Sequence, residues 1–285
     1  MTTTAGLIRD FLLSSYEEFL KENNKRPFFL GLSGAQGSGK TSAVNALARM
    51  LREEHSLNTA VFSIDDIYHP FETLQALVQK DPLNCLYSNR GEPGTHDIPL
   101  GVQTLESLKQ NKPTQMPFYD KSLYQGMGDR TAVTTWTQIN PPVDIVIFEG
   151  WCVGFRALPE AKVLTKQQES FSCSTLRNHR LQDLLTMNKE LQAYHALWAY
   201  FDAFCHLDTA DLDVVYTWRL QQEHDMIAKL GSGMMDDGVV KFVDTYMPAY
   251  ELYAENLRKG LLRNGRQLRL SIDRARNVAD SVVIQ

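Results

Sequence analysis

Short apolar runs alternate along this chain with longer segments in which apolar residues recur every three or four positions. The runs predict buried strands, and the three-to-four spacing predicts helices. The predicted strands are residues 28–32, 59–64, 143–150, 201–207 and 268–272, the last being the final strand. The predicted helices are residues 4–21, 41–54, 100–110, 175–200 with one break, 211–230 and 236–257, with another beginning near residue 70.

The alternation of strands and helices sets the expected fold class. It predicts an α/β fold of three layers, with a mostly parallel central sheet and helices on both faces. Residues 160–174 show no clear period and are expected to form a connection. No internal repeat or linker divides the chain, so the remaining helices and loops are expected to be insertions around one site.

The first predicted strand runs directly into glycines, a lysine and a threonine, with the pattern G-x-x-x-x-G-K-[ST]. Glycines let a strand turn sharply into a helix, whose first backbone N–H groups then cradle phosphate. Lys40 would reach the outer phosphates and Thr41 would hold Mg²⁺. A glycine-rich turn with an exposed lysine is the alternative, and it leaves the lysine–threonine pair unexplained. The residues expected to contact the nucleotide here are Gly34, Ala35, Gln36, Gly37, Ser38, Gly39, Lys40, Thr41 and Ser42.

Two aspartates, Asp65 and Asp66, directly follow the second predicted strand. In open α/β sheets, ligands bind beyond the carboxyl ends of the strands. We expect this strand to lie next to the phosphate-loop strand, which would place both carboxylates for chemistry. Asp65 is the candidate base, and Asp66 is expected to cap the next helix, near Pro70. Asp211 is likewise expected to cap the predicted helix 211–230.

The predicted strand 143–150 reads VDIVIFEG and ends in an acid, Glu149. A largely apolar run of this kind is typical of a buried parallel strand. Glu149 would then face the phosphate site, where a carboxylate can orient Mg²⁺ or its water. The alternative is that Glu149 only caps the end of the strand and has no role in binding Mg²⁺.

Two long polar segments, residues 81–99 and 117–130, interrupt the pattern. A loop as long as the first is usually functional or disordered. The second mixes tyrosines, charged residues and glycines, which suits recognition of a small polar ligand. A solvated loop and a surface hairpin are the respective alternatives. The residues expected to face a substrate are Asp66, Tyr68, Arg90, His96, Asp97, Tyr119, Asp120, Lys121 and Arg130.

Composition and charge argue against several classes of protein function. A net charge of −5 argues against a general nucleic-acid binder, although it allows a local basic pocket for a small anion. The cysteines Cys85, Cys152, Cys173 and Cys205 are far apart and are expected to be reduced thiols. No segment has the roughly 18 apolar residues of a membrane span, and the N-terminus has no signal pattern. We expect a cytoplasmic enzyme acting on a small molecule, as a monomer or homodimer, without a nucleic-acid or membrane partner.

Several ordered motifs resemble the P-loop kinases of small metabolites, a group that includes uridine kinase, phosphoribulokinase and bacterial pantothenate kinase. The resemblance is strongest to the plant and fungal D-glycerate 3-kinase family and covers nearly the whole chain. The motifs are GLSGAQGSGKT (31–41), SIDDIY (63–68), RGEPGTHD (90–97), YDKSLYQGMGDR (119–130), IFEGWCVGF (147–155), WRLQQE (218–223) and FVDTYMPAY (242–250). The resemblance implies the P-loop NTPase fold, with one kinase domain over 1–285. Its parts would be an N-terminal helix within 1–26, a substrate insertion at 81–130 and a lid at 211–250.

The resemblance also implies roles for individual residues. Asp65 stands where this group keeps an aspartate that accepts the substrate hydroxyl proton, and Thr41 and Glu149 stand at the Mg²⁺ positions. Arg219 lies near the start of the lid, where relatives place several arginines that close over the phosphates. This chain has one obvious arginine there, and Lys229 is the candidate to compensate. Separately, Asn277 and Val278 lie where the family passes beside the adenine.

The implied reaction transfers the γ-phosphoryl group of Mg·ATP to an alcohol, with D-glycerate as the first candidate. The acceptor's carboxylate would then need a cation, and the candidates are Arg90, His96, Lys121 and Arg130. The alternatives are a kinase of a nucleoside, pantothenate or sugar phosphate, and a P-loop ATPase or ATP-binding scaffold. A nucleotide switch protein would usually carry an N-K-x-D sequence, whereas residues 188–191 read NKEL.

Overall fold

The computed structural model describes residues 3–170, 174–231 and 233–285. The helices in this part are α1 (Thr4–Lys21), α2 (Lys40–Glu54), α3 (Phe71–Lys80), α4 (Ile98–Lys109), α5 (Glu160–Glu169), α6 (Leu181–Leu191), α7 (His195–Trp198), α8 (Val214–Leu230), α9 (Asp236–Asp244) and α10 (Met247–Arg258). The strands are β1 (Phe28–Gly34), β2 (Thr59–Ser63), β3 (Thr114–Met116), β4 (Tyr119–Asp120), β5 (Asp129–Arg130), β6 (Thr137–Ile139), β7 (Ile145–Gly150), β8 (Ala203–Asp208), β9 (Gln267–Ile272) and β10 (Val278–Ile284).

One six-stranded sheet forms the centre of the molecule, with the strand order β10-β9-β8-β1-β7-β2. Neighbouring strands from β9 to β2 are parallel, and β10 at the edge is antiparallel to β9. The mostly parallel sheet is therefore confirmed. The expectation that β2 lies next to β1 is wrong, because β7 lies between them and pairs with both.

Helices cover both faces of this sheet, as consecutive residues of β1 illustrate. Successive side chains of a strand point to opposite faces. The ring of Phe28 packs against Tyr16 and Phe19 of α1, whereas the ring of Phe29 packs against Tyr200, which follows α7. Every residue of β1 is buried, so the three-layer α/β architecture predicted from the apolar runs is confirmed.

The first helix shows how local sequence sets an element. Thr3 precedes α1, and its hydroxyl accepts a hydrogen bond from the Gly6 N–H at 3.1 Å, which satisfies one of the unpaired N–H groups of the first turn. Ile8, Leu12 and Phe19 lie along the buried side of the helix. The predicted range 4–21 is therefore confirmed at both ends.

The predicted connection over 160–174 is wrong, because α5 occupies most of the described part of it. Val163 is its one fully buried position, so the sequence carries almost no apolar period to reveal the helix. Residues 171–173, including Cys173, lie outside the described residues.

Three further boundaries differ from the prediction. The segment 175–200 contains a 3₁₀ turn (Thr175–Asn178) and then α6 and α7, so it is broken more than once. The predicted helix 236–257 is two helices, α9 and α10, and Pro248 stands in the first turn of α10, where a missing N–H costs nothing. Residues 268–272 are not the last strand, because β10 follows as an antiparallel edge strand.

Two predicted helix caps are also wrong. Asp66 lies in the short 3₁₀ turn Ile64–Ile67, and the first N–H of α3 is instead accepted by the carboxylate of Asp129, at 2.8 Å from Phe71. The N-cap position of α8 is Asp213, whose own N–H donates to the carboxylate of Asp211. The first error arises because the true acceptor, Asp129, is 58 positions away from Phe71 in the sequence.

Candidate active site

The parallel register places the carboxyl ends of four strands in a row. Glu149 of β7 pairs with Ser63 of β2 on one side and with Leu32 of β1 on the other. Gly34, at the end of β1, pairs with Leu207 of β8. The phosphate loop, Glu149 and the turn that carries Asp65 therefore converge at one edge of the sheet, as ligand sites of such sheets do.

The phosphate loop, residues 34–41, bends through left-handed glycine conformations. Gly37 and Gly39 have φ of +79° and +85°, which disfavours residues with a Cβ. A Cβ on Gly37 would also lie 2.4 Å from the Cβ of Trp218 on α8, so this glycine permits a close approach of the helix. The loop then opens into α2, whose first residue is Lys40.

Lys40 and Glu149 form an ion pair across the loop. Their Nζ and Oε2 atoms are 2.8 Å apart, and both side chains are largely buried. The contact lacks hydrogen-bond geometry, which leaves the buried Oε2 of Glu149 without a hydrogen-bond partner among the described residues. The Ser38 hydroxyl in the same loop is also buried, and it too has no hydrogen-bond partner among the described residues. Thr41 and Ser42 are exposed at the start of α2.

Asp65 is held by a lysine from the second polar loop. Lys121 Nζ lies 2.5 Å from Asp65 Oδ2, and the Tyr68 hydroxyl donates to Oδ1 at 3.1 Å. Burial alone would raise the pKa of Asp65, but the charges of Lys121 and Lys40 outweigh it and lower the pKa below its ordinary value. Asp65 is therefore ionised and available to accept a hydrogen bond at neutral pH.

The neighbouring carboxyl, Asp66, is shifted the other way. Burial and the charge of Asp65 raise the pKa of Asp66 to about 7, although N–H groups of Ser63 and Tyr119 favour its ionised form. Two adjacent carboxyls with separated pKa values are typical of sites where one acts as a base.

His96 is buried beside Tyr68. Its ring stacks on Tyr68 with centroids 4.4 Å apart, and its Nδ1 lies 2.6 Å from the Tyr194 hydroxyl. Burial lowers the pKa of His96 to about 3, and the opposing effect of Asp65 is smaller. His96 is therefore a neutral member of the site, not the cation that the sequence suggested.

Arg130 and Asp97 hold the loops together. Arg130 donates from Nε and Nη2 to the Tyr68 carbonyl and from Nη1 to Asp97, at 2.8–3.2 Å. Asp97 also caps α4 by accepting from the Leu100 N–H at 3.1 Å. Both side chains are thus committed within the protein, which leaves Arg130 poorly placed to bind a ligand.

The second polar loop forms a small hairpin of β4 and β5, and Arg90 reaches it from the first loop. Arg90 Nη1 donates to the carbonyls of Gly126, at 2.8 Å, and Met127, and its guanidinium lies 5.5 Å from the ring of Tyr119. The side chain of Asp120 accepts from Ser122 within the same turn. The hairpin that the sequence offered as the alternative is therefore present, and recognition of a ligand by this loop stays a prediction.

Arg219 lies on α8. Its Nη2 is 2.8 Å from Oε2 of Glu223, and its guanidinium lies 5.3 Å from the ring of Phe242. Glu223 is buried and also accepts from the Met234 N–H. The predicted lid arginine is therefore held by its own segment in this structure.

The predicted adenine residues lie in the turn between β9 and β10. Asn277 contacts Asp273 of the same turn, and Val278 begins β10. The adjacent Arg276 donates to the Gly37 carbonyl at 2.6 Å and lies over the ring of Trp218. The turn is therefore attached to the phosphate loop, although neither predicted residue makes that attachment.

Sequence reasoning missed two buried groups beside the site. Glu92 is 2% exposed, and neither of its carboxylate oxygens has a partner among the described residues. Burial raises the pKa of Glu92 well above its ordinary value. The Tyr250 hydroxyl accepts from the Gln36 N–H of the phosphate loop at 3.1 Å. The charged residue between Gly91 and Pro93, and the tyrosines of FVDTYMPAY, were the available signals.

The fold and this site define a P-loop kinase. Comparison with known proteins supports that class: an uncharacterized kinase of Schizosaccharomyces pombe, mug58, is 34% identical over 273 residues, covering 94% of this chain and 96% of that protein. The chloroplastic D-glycerate 3-kinase of Arabidopsis thaliana is 36% identical over 81% of this chain, which spans 48% of that protein. The solved D-glycerate 3-kinase of Cryptococcus neoformans superposes with a TM-score of 0.91 at 34% identity, over 99% of both chains. No family model matches.

The chain belongs to the kinase family that contains D-glycerate 3-kinase. It is accordingly an ATP-dependent kinase with a small-molecule substrate. Within the described part of the chain, no helix is both long enough and apolar enough to cross a membrane.

Proposed function

We propose that this kinase transfers the γ-phosphoryl group of ATP to D-glycerate, giving 3-phosphoglycerate. The observation that carries the proposal is the pair of opposite charges at Asp65 and Lys121, beside the phosphate loop. A hydroxy acid needs a base near its alcohol and a cation near its carboxylate, and this pair supplies both within one site. The relatives named D-glycerate 3-kinase support the choice of acceptor.

Phosphoryl transfer depends mainly on positioning and on neutralising charge. Lys40 would contact the outer phosphates, which approach the loop from its exposed side. Asp65 would accept the hydrogen bond of the acceptor hydroxyl and then its proton. Arg219 would have to leave Glu223 to contact the phosphates, and such a movement would be the role of the segment 211–250 as a lid.

The carboxylate of the acceptor is best matched by Arg90 and Lys121. Arg130 already uses its Nε and both Nη nitrogens, and His96 is neutral, so neither offers a free charge. Arg90 makes its side-chain hydrogen bonds through Nη1, which leaves one edge of the fork for a carboxylate. Lys121 is 55% exposed and can bridge Asp65 and a ligand.

The residues at the end of β7 fit a magnesium ion. Mg²⁺ prefers carboxylate and hydroxyl oxygens, and the Oε2 of Glu149 lacks a hydrogen-bond partner in the described part of the chain. Glu149 and Thr41 would hold the ion, either directly or through water. When bound with ATP, it would offset negative charge on the β- and γ-phosphates.

The acceptor is tested by measuring ADP release with a panel of alcohols. The panel contains D-glycerate, L-glycerate, pantothenate, ribulose 5-phosphate and uridine, together with a reaction that has no acceptor. We expect D-glycerate to give the highest rate. A higher rate with another alcohol would identify that alcohol as the substrate in place of D-glycerate. A rate of ADP release that is the same with and without every alcohol would indicate an ATPase.

We also propose the cytoplasm as the compartment and a monomer or homodimer as the assembly. Cys152 and Cys205 are buried free thiols, which suits a reducing compartment. Fractionation of cells would test the compartment. Light scattering of the purified protein would test the assembly.

A further inference from the structure

Two tyrosines one helical turn apart contact two different loops of the site. Tyr246 stands immediately before α10, and its hydroxyl donates to the Arg90 carbonyl at 2.8 Å. Tyr250 lies in the first turns of α10, and its hydroxyl accepts from the Gln36 N–H at 3.1 Å. One loop carries a proposed acceptor cation and the other is the phosphate loop.

The contact of Tyr246 depends on a specific backbone position. Gly91 has φ of +143°, and a Cβ there would lie 2.2 Å from the Tyr246 hydroxyl oxygen. The residue after Arg90 must therefore be glycine for the tyrosine to approach this closely. The next turn of the loop is fixed as well, because the Gly91 N–H donates to the Thr95 hydroxyl at 3.0 Å.

Both tyrosines are anchored at the end of β7. Trp151 directly follows that strand, and its ring lies edge-on to Tyr246 and Tyr250, at centroid distances of 5.0 and 5.2 Å. Tyr246 is 4% exposed and Tyr250 is 3% exposed. Burial raises the pKa of each phenol, so both hydroxyls keep their protons at neutral pH.

We propose that Tyr246 and Tyr250 are positioning residues that fix the acceptor loop and the phosphate loop relative to each other. Tyr246 sets the backbone of Arg90, and so the place of the acceptor's carboxylate. Tyr250 sets the backbone at Gln36, and so the curve of the phosphate loop. The acceptor part of this inference rests on the proposed function, whereas the nucleotide part does not.

The test compares three Tyr→Phe variants of the full chain. Tyr246→Phe and Tyr250→Phe keep the rings and remove one hydrogen bond each. Tyr253→Phe is the matched control, because Tyr253 lies on the same helix, is 0% exposed, and has a hydroxyl without a partner in the described residues. Steady-state kinetics with ATP and D-glycerate are measured for each, together with the melting temperature.

The expected results separate the two loops. Tyr250→Phe should raise the KM for ATP about three- to tenfold, the scale of one lost hydrogen bond, and should change the KM for D-glycerate less. Tyr246→Phe should raise the KM for D-glycerate by a similar factor and should change the KM for ATP less. Tyr253→Phe should leave both KM values within about twofold of wild type. If all three variants matched wild type, or if the first two changed only the melting temperature, the inference would be overturned.

A second measurement does not depend on the acceptor. Amide hydrogen exchange should show faster exchange at Gln36 in Tyr250→Phe and unchanged exchange there in Tyr253→Phe, because only the first variant loses the acceptor of that N–H. Binding of ATP, measured by calorimetry without any alcohol, should weaken in Tyr250→Phe. Unchanged exchange and unchanged ATP affinity would reject the nucleotide part even if D-glycerate proved not to be the substrate.

Discussion

Asp65 and Asp66 are adjacent in sequence, yet their environments give them opposite properties. Asp65 faces Lys121 and stays ionised, whereas burial and the charge of Asp65 raise the pKa of Asp66 to about 7. The difference depends on Lys121, which reaches Asp65 from a loop 56 positions further along the chain. The opposite pKa shifts of the two carboxyls are therefore set by tertiary contacts and not by the dipeptide itself.

Replacing Asp65 tests its role as the base. Asp65→Asn keeps the shape of the side chain and removes its charge, so we expect kcat to fall about 100-fold or more while the KM for ATP stays near wild type. The matched control is Asp280→Asn, at an exposed position on β10. A kcat within a few-fold of wild type for Asp65→Asn would remove the residue from the mechanism.

The raised pKa of Asp66 makes a prediction about stability. Between pH 4 and pH 7 the folded protein binds a proton at Asp66 that the unfolded chain has lost, so this carboxyl makes the protein less stable as pH rises through that window. The advantage in stability of Asp66→Asn over wild type should therefore be larger at pH 8 than at pH 5, by about 2–3 kcal/mol. Urea unfolding at the two pH values measures this gain. If the free energy of unfolding differed between Asp66→Asn and wild type by the same amount at both pH values, the raised pKa of Asp66 would be contradicted.

At the scale of elements, the phosphate loop is held from outside by α8 and by the β9–β10 turn. Trp218 packs against Gly37, and Arg276 donates to the Gly37 carbonyl. The apolar run of β1 and the loop motif are local signals, and both were readable in the sequence. The partners of the loop were not readable, because Trp218 and Arg276 come from distant segments whose own patterns do not specify where they dock.

Two glycines of the loop offer a matched pair of substitutions. Both have positive φ, but a Cβ on Gly37 would meet Trp218, whereas a Cβ on Gly39 would have nothing within 4 Å. Each alanine should cost about 1–2 kcal/mol through backbone strain, and Gly37→Ala should cost more because α8 must also move. Thermal unfolding compares the two. If Gly37→Ala and Gly39→Ala lowered the stability equally, the contact between Gly37 and Trp218 of α8 would not be tight.

At the scale of the whole molecule, the candidate active site lies where the ends of β1, β2 and β7 meet. The parallel α/β class follows from the alternation of apolar runs and helical spacing. The strand order does not, because each buried strand has nearly the same apolar pattern and pairing depends on the entire sheet. For the same reason, the sequence could nominate Arg130 as a ligand residue but could not reveal that its nitrogens bond Tyr68 and Asp97.

Nucleotide binding should stabilise the whole fold. A ligand that binds only the folded state at about 100 times its Kd adds about 2.7 kcal/mol, which corresponds to several degrees in the melting temperature of a chain of this size. We expect Mg·ATP to raise the melting temperature by this amount in wild type and by much less in Lys40→Met. A similar shift in both proteins would place the triphosphate elsewhere.

The most direct test of the central claim is ³¹P NMR of a reaction that contains the enzyme, Mg·ATP and D-glycerate. We expect ADP and 3-phosphoglycerate to form in equal amounts, with no free phosphate beyond the background. ADP accompanied by inorganic phosphate, or no loss of ATP, would contradict it.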